Sequence, residues 1–221
     1  MSENEVFKIL KQRVLEIQRT KSKAVRVAIN GIEGTGKTTF TEKFTSYLHS
    51  NQVNAIHITI DGFHNKKQIR YKQGRDSAKG YYEDSYNELA FTEKVLLSSQ
   101  KENPHYTKAV HNLETDEILE MPPIPINHKS IIITDGAYLF KPIYREHWDL
   151  KIYLKTDFET AQKRGVKRDS LLLGGIEETK NKYQKRYHKA SKIYLTKNKA
   201  EEIVDIIIDN TNFENLKIKT K

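Results

Sequence analysis

Nine residues, Gly31-Ile32-Glu33-Gly34-Thr35-Gly36-Lys37-Thr38-Thr39, limit what this chain can fold into more than any other stretch. They fit the pattern G-x-x-x-x-G-K-[ST], which carries its physical meaning only between a strand and a helix. Both flanks are present. Ala24-Val25-Arg26-Val27-Ala28-Ile29 is β-rich and largely apolar, as in a buried strand, and Phe40, Phe44 and Tyr47-Leu48 recur at helical spacing. Glycines let the backbone take positive φ, so successive N–H groups converge on an anion, and the helix N-terminus adds partial positive charge. Gly31, Glu33, Gly34, Thr35, Gly36, Lys37, Thr38 and Thr39 are therefore expected to cradle the phosphates of ATP. Lys37 would reach the β/γ-phosphates and the Thr38 hydroxyl would hold Mg²⁺.

The rest of the chain alternates strand and helix patterns. Val6, Ile9-Leu10, Val14 and Ile17 predict an amphipathic packing helix over 3–20, and Val53 to Ile60 predicts a second strand ending at Asp61-Gly62-Phe63-His64. Residues 65–87, polar, basic and Tyr-rich, read as a loop over a site, and 89–97 as a helix. A hairpin flap is expected at about 104–127, around the turn Glu114-Thr115-Asp116. Ser130 to Thr134 and Leu150 to Leu154 predict further strands, and Asp157 to Arg168 a helix with Asp157 near its start as a cap. The Gly174-Gly175 break, renewed helical periodicity to residue 195, a last strand over 203–208 and a frayed Lys-rich tail complete the reading. The expectation is one α/β domain over 1–221: a P-loop NTPase of nucleoside/nucleotide-kinase type. Its parallel sheet has helices on both faces, with a helical lid at about 164–190 and the small β-hairpin flap.

Composition narrows the function classes. The chain has 221 residues, a formal charge of +9 and no Cys, which leaves no disulfide framework, thiol nucleophile or Cys-type zinc site. Basic balance suits nucleic acid, anionic membranes or phosphorylated small molecules, but the lysines are scattered, not blocked. No apolar run reaches ~18 residues, and Met-Ser-Glu-Asn-Glu is unlike a signal peptide. A cytoplasmic protein with a small-molecule partner follows, without nucleic acid or membrane, and with homo-oligomerisation left open.

In an open parallel sheet, ligands bind beyond the carboxyl ends of the strands. The loop, Asp61 and Asp135 all fall there. Asp135 follows its apolar strand as a metal-organising acid does, and Asp61, which opens the segment toward the acceptor, is the expected base. Arg164 and Arg168 lie four apart before the Gly-Gly break, as suits a lid closing arginines onto the transferred phosphate. Arg186 on the following helix could add charge to the same site. Tyr71, Tyr81, Tyr82 and Tyr86 divide between surface packing and stacking on a ring. His57 and His105 read as incidental.

Several motifs together carry a resemblance. GIEGTGKTT, DGFHN followed by RYKQGRDSAKGYYEDSYN, TDGAYLF, EHWDLKIYLKTDFETAQKRGVKRD, RYHKASKIYL and VDIIIDN extend over most of residues 24–215. The chain resembles the uridine kinase and phosphoribulokinase group of P-loop kinases, and within it bacterial uridine kinase-like proteins. The resemblance implies ATP-dependent phosphorylation of a hydroxyl, with a uridine- or cytidine-type nucleoside as the first expectation. By it, Asp61 activates the acceptor hydroxyl, Asp135 lies near magnesium, and Arg164 and Arg168 contact phosphates. His64, Arg70 and Tyr71 fall on the acceptor side, with Tyr82, Asp84 and Tyr86 nearby. Departures touch the nucleoside-recognition motifs: Gly80-Tyr81-Tyr82-Glu83 and His111-Asn112-Leu113 replace the family's sequences, and Leu173 and Gly175 fall where further lid arginines are found. A sugar or pantothenate-like alcohol is therefore an alternative acceptor, and a non-catalytic nucleotide-binding regulator or a nucleic-acid ATPase an alternative class.

Overall fold

In the computed structural model, which describes residues 1–220, the chain opens with α1 (Glu3–Thr20), β1 (Val25–Asn30), α2 (Lys37–Ser50) and β2 (Ala55–Thr59). A 3₁₀ turn (Ile60–Phe63) leads to α3 (Lys67–Arg70), α4 (Ala78–Asp84) and α5 (Glu88–Phe91), which runs on into a π-helical turn (Thr92–Leu97). Then come β3 (His105–Tyr106), β4 (Ile124–Pro125), β5 (Ile131–Gly136), α6 (Pro142–Arg145), β6 (Leu150–Lys155), α7 (Phe158–Asp169) and α8 (Ile176–Lys182). A second π-helical turn (Tyr183–Tyr187) joins α8 to α9 (His188–Asn198), before β7 (Ile206–Asp209) and β8 (Lys217–Thr220).

Side-chain alternation along the strands builds a core on each face of the sheet. Val25, Val27 and Ile29 of β1, Ile131 and Ile133 of β5, and Leu150, Ile152 and Leu154 of β6 pack with α1 and α2. The intervening Ala28, Ile132 and Tyr153 turn to the opposite face, toward Tyr138, Trp148 and Tyr194. α1 starts in a capping box of Ser2 and Glu5, and its Phe7 ring lies 5.2 Å from Phe40 and 5.4 Å from Phe44. The sheet order is β2-β5-β1-β6-β7-β8, parallel through β7. β1 thus lies between β5 and β6, and β5 separates it from β2, so the ends of β1, β2 and β5 open on one edge.

Three expectations need correction. The tail is not frayed: β8 pairs antiparallel with β7, so the sheet is mostly, not wholly, parallel. Lysines on such an edge strand discourage further pairing. Residues 65–87 are not simply a loop. Ser77 caps α4 by accepting from the Gly80 N–H, and Tyr82 and Tyr86 are buried against Tyr138. The helix expected over 89–97 leaves α geometry at Thr92.

The flap is a minimal hairpin, pairing His105 with Pro125 and Tyr106 with Ile124, with a bridge between His111 and Ile118. Asp116 ties it to α3 by accepting from the Lys67 N–H (2.8 Å), His111 Nε2–H (3.1 Å) and Arg70 Nη2 (3.4 Å). α7 packs on the second π-turn through Gly165: a Cβ there would come within 2.0 Å of the Tyr183 ring carbon Cζ and hydroxyl. Tyr183 is fully buried and cannot yield cheaply. Gly165→Ala should therefore cost about 1–3 kcal/mol of overpacking, several degrees of Tm by calorimetry.

Candidate active site

Beyond β1 the chain turns through Gly31–Gly36 and enters α2 at Lys37. Gly34 and Gly36 hold φ of 84° and 92°, where a side chain is strained, and a Cβ on Gly34 would meet the Ala161 carbonyl oxygen at 2.1 Å. Thr35 is buried and its hydroxyl donates to the Ile32 carbonyl at 2.7 Å, bracing the turn. Lys37 is almost buried, its Nζ donating to the same carbonyl at 3.0 Å. Glycine-shaped loop, buried lysine and helix start form the donor set a triphosphate requires.

Asp135, at the end of β5, is 2% exposed and fully engaged. Thr38 Oγ1 donates to its Oδ2 at 2.7 Å, and His57 Nε2–H to its Oδ1 at 2.7 Å. Mg²⁺ favours few protein oxygens completed by phosphate and water. A hydroxyl and a carboxylate in contact, beside a phosphate loop, fit that demand. His57, read from sequence as incidental, fixes the carboxylate from behind; its place on β2, beside β5, was the only available signal.

Asp61 follows β2 by two residues, and Thr59 is in register with Asp135. The strand ends are tightly apposed, since a Cβ on Gly136 would meet Ile60 Cγ2 at 2.3 Å. Tyr86 Oη donates to Asp61 Oδ1 at 3.1 Å, and His64 Nδ1–H donates to the Asp61 carbonyl at 2.8 Å. The carboxylate is open to water through the cleft mouth yet walled by protein below. Burial raises its pKa above the ordinary carboxylate value. Glu33 and Asp135 push the same way, while His64 and Lys37 oppose. Burial lowers His64, leaving its ring neutral. Burial, with Asp61 and Glu33, holds the Tyr86 phenol well above its usual range, so it remains a donor.

Asp61, His64 and Glu33 line a cleft of about 310 Å³, walled by α3, the second π-turn and the flap residue Leu113. Arg70, Tyr71, His64 and Arg168 reach it. Arg168 forks onto Asp169, with Nε to Oδ1 at 2.6 Å and Nη2 to Oδ2 at 3.0 Å. Three sequence expectations are corrected. Arg164 is held by backbone, donating to the carbonyls of Asn210 (2.9 Å) and Thr211 (3.0 Å) and at 3.5 Å to that of Thr35 in the phosphate loop. It lies 3.6 Å over the Phe213 ring, so its charge is not in the cleft. Tyr82 is core, its hydroxyl accepting from Asn198 Nδ2 at 2.9 Å. Asp84 is occupied by Lys72 at 2.8 Å and Gln73 at 2.7 Å. Sequence reading missed Lys67, Lys182, Tyr183 and Tyr187 in the wall. A larger cavity of about 680 Å³ lies behind the flap and shares only His64 with the cleft. It contains neither Asp61 nor the loop, so it is not the reaction site.

A parallel sheet with a glycine-turned phosphate loop, and acids closing two neighbouring strands, defines a P-loop kinase fold. The chain belongs to the Phosphoribulokinase / Uridine kinase family, whose model matches residues 26–213. Among solved structures it is similar to a possible uridine kinase from Bacillus stearothermophilus, with 17% identity, TM-score 0.65, and 90% of this chain and 98% of that one covered. It is also similar to a candidate fructose transport system kinase from Silicibacter sp. TM1040 (18%, TM-score 0.71, 86% and 94% covered). A third likeness is to D-glycerate 3-kinase from Cryptococcus neoformans (9%, TM-score 0.64, 98% and 99% covered). No curated protein sequence is significantly similar to the chain. Membership in this family supports a small-molecule kinase. No helix among the described residues is long and apolar enough to cross a membrane.

Proposed function

We propose that this protein transfers the γ-phosphoryl group of ATP to the hydroxyl of a small molecule held over Asp61. The observation that carries this reading is geometric: Thr38 at the start of α2 donates to Asp135 at 2.7 Å, Thr59 of β2 is in register with Asp135 two residues before Asp61, and loop residue Glu33 lines the same cleft as Asp61. Lys37 and the loop amides would hold the triphosphate, and Thr38 and Asp135 would hold Mg²⁺, which would supply neutralising charge for the phosphates. Tyr86 fixes Oδ1 of Asp61, leaving Oδ2 for the acceptor. As the acceptor oxygen bonds to phosphorus, its proton passes to Asp61 and the electron pair of the broken P–O bond leaves with ADP. Arg168 supplies positive charge from the lid side.

We place this chemistry in the cytoplasm. Family resemblance puts uridine- and cytidine-type nucleosides first among acceptors, with sugars and pantothenate-like alcohols as the alternative; the charge of the cleft favours the pantothenate-like, carboxylate-bearing kind. ADP release across nucleosides, sugars and hydroxy acids tests the reaction, since a regulator would turn over none. Lys37→Met should weaken ATP binding by about 10–100-fold, the worth of a charged hydrogen bond. An unaltered ATP affinity by calorimetry would contradict the role of Lys37.

A further inference from the structure

Positive charge outweighs negative around Asp61, with Lys67, Arg70, Arg168, Lys182 and Arg186 lining the cleft against Glu33, Asp61 and Asp169. Arg168 forks onto Asp169, and Glu33 accepts from Tyr81 Oη at 2.9 Å. Lys67, Arg70, Lys182 and Arg186 remain in the wall. Two of these are buried: Arg70 is 7% exposed and Arg186 4%, and the Nε of each is enclosed without a hydrogen-bond partner. Arg186 has no carboxylate partner among the described residues. Arg70 has one, Asp116, at a long 3.4 Å and shared with Lys67 and His111. A buried guanidinium with an unmet N–H costs free energy that an anion would offset.

Tyr71 lies between the two, its ring centroid 5.2 Å from the guanidinium carbon of Arg70 and 4.9 Å from that of Arg186. Burial alone would raise its phenol, but Arg186, Arg70 and Lys182 hold it below its usual value, a mark of positive potential. Arg70 sits on α3, stacked on Tyr71 and tied to the flap through Asp116, with no contact to the phosphate loop among the described residues. Arg186 stands between Tyr71 and Tyr81, whose hydroxyl donates to loop residue Glu33 at 2.9 Å.

We propose that the alcohol phosphorylated here carries an anionic group, a carboxylate or a phosphate, received by Arg70 and Arg186 on either side of Tyr71 while its hydroxyl meets Asp61. This rests on the phosphoryl-transfer reading of the cleft. A cavity of about 310 Å³ suits a small hydroxy acid or sugar phosphate. A neutral acceptor leaves the enclosed Nε–H of each arginine unmet, the kind of mismatch that gives enzymes their strongest discrimination.

The test uses pairs that differ in charge. D-glycerate against glycerol and pantothenate against panthenol probe a carboxylate, and fructose 6-phosphate against fructose probes a phosphate. In at least one pair the charged member should be preferred by about 100-fold or more in kcat/KM, as expected of a buried charge contact. Arg70→Gln should raise KM for that member by a similar factor with ATP KM near wild type, and Arg70→Lys should recover part of it. Because Arg70 also touches the flap through Asp116, Asp116→Asn is the control: it loosens the clasp, keeps the guanidinium and should keep the preference. Preference for the neutral members, or a charged-member KM that Arg70→Gln does not move, overturns the proposal. If no alcohol is turned over, the phosphoryl-transfer reading fails separately. Calorimetry of the charged compounds against the Mg·ADP-bound protein then decides the anion site: binding lost in Arg70→Gln supports it, and no binding overturns it.

Discussion

Asp61→Asn should lower kcat by about 10²–10⁴-fold, the usual worth of a positioned general base, while ATP binding stays near wild type. The amide keeps the shape of the carboxylate and can still accept from Tyr86 Oη, so the loss would come from the missing proton acceptor. Stability gives an independent check. Burial raises the Asp61 pKa, so the ionised form is disfavoured in the folded protein. For a raised carboxylate the sign is a penalty: it grows as pH rises from the unfolded-state pKa, about 3.9, through the folded one, and is full above that. Asp61→Asn should therefore melt no lower than wild type at pH 7–8, and any gain should vanish as pH falls below both pKa values. A variant that lost turnover and melted early would point to structural damage instead.

The same shift sets the acid side of the pH profile. Asp61 works only when ionised, so kcat/KM should fall on acidification at a pH above the ordinary carboxylate range. Burial lowers the His64 pKa toward the same window while its Nδ1–H is spent on the Asp61 carbonyl, so the variant separates the two groups. In Asp61→Asn the acid limb should flatten. A limb at the same pH in the variant would assign it to another group.

The frame was legible because apolar β-rich runs and the loop are local signals: the strands leading to Asp61 and Asp135 and the cap at Asp157 follow from residue order alone. The cleft wall was less so. Tyr183, Arg186 and Tyr187, spaced i, i+3 and i+4, share one face as helical periodicity allows, and Arg186 was foreseen as charge for the site. That the two tyrosines also line the cleft depends on how this segment packs over α3 and α4, which spacing does not give. Arg164 and Arg168, four apart, part company because residues 210–213 cover the first of them, a contact 46 residues distant. Tyr82 and Asp84 looked available in a polar stretch, yet α4 turns them onto Asn198 and Lys72. Lys217-Ile218-Lys219-Thr220 concealed a strand because edge lysines and a solvated tail have the same composition.

Asp135→Asn is the second large effect expected. The wild-type carboxylate has both oxygens committed, Oδ2 to the Thr38 hydroxyl and Oδ1 to His57 Nε2–H. An amide offers one acceptor and one donor, so whichever way it turns, a donor faces Thr38 or His57, and the negative charge beside the phosphate loop is lost. Half-saturating Mg²⁺ should rise by at least about 10-fold and kcat fall by about 10²–10³-fold, since a hard cation loses its anionic oxygen. His57→Gln tests the support behind it: outer-shell partners of metal ligands are worth about 10–100-fold, so its Mg²⁺ requirement should fall between wild type and Asp135→Asn. Since β2 carries both His57 and the turn to Asp61, the Asp61 acid limb should be retained in His57→Gln if the histidine acts only on Asp135. An Asp135→Asn enzyme with unchanged Mg²⁺ dependence would remove the metal role from β5 and leave Thr38 as its sole protein oxygen.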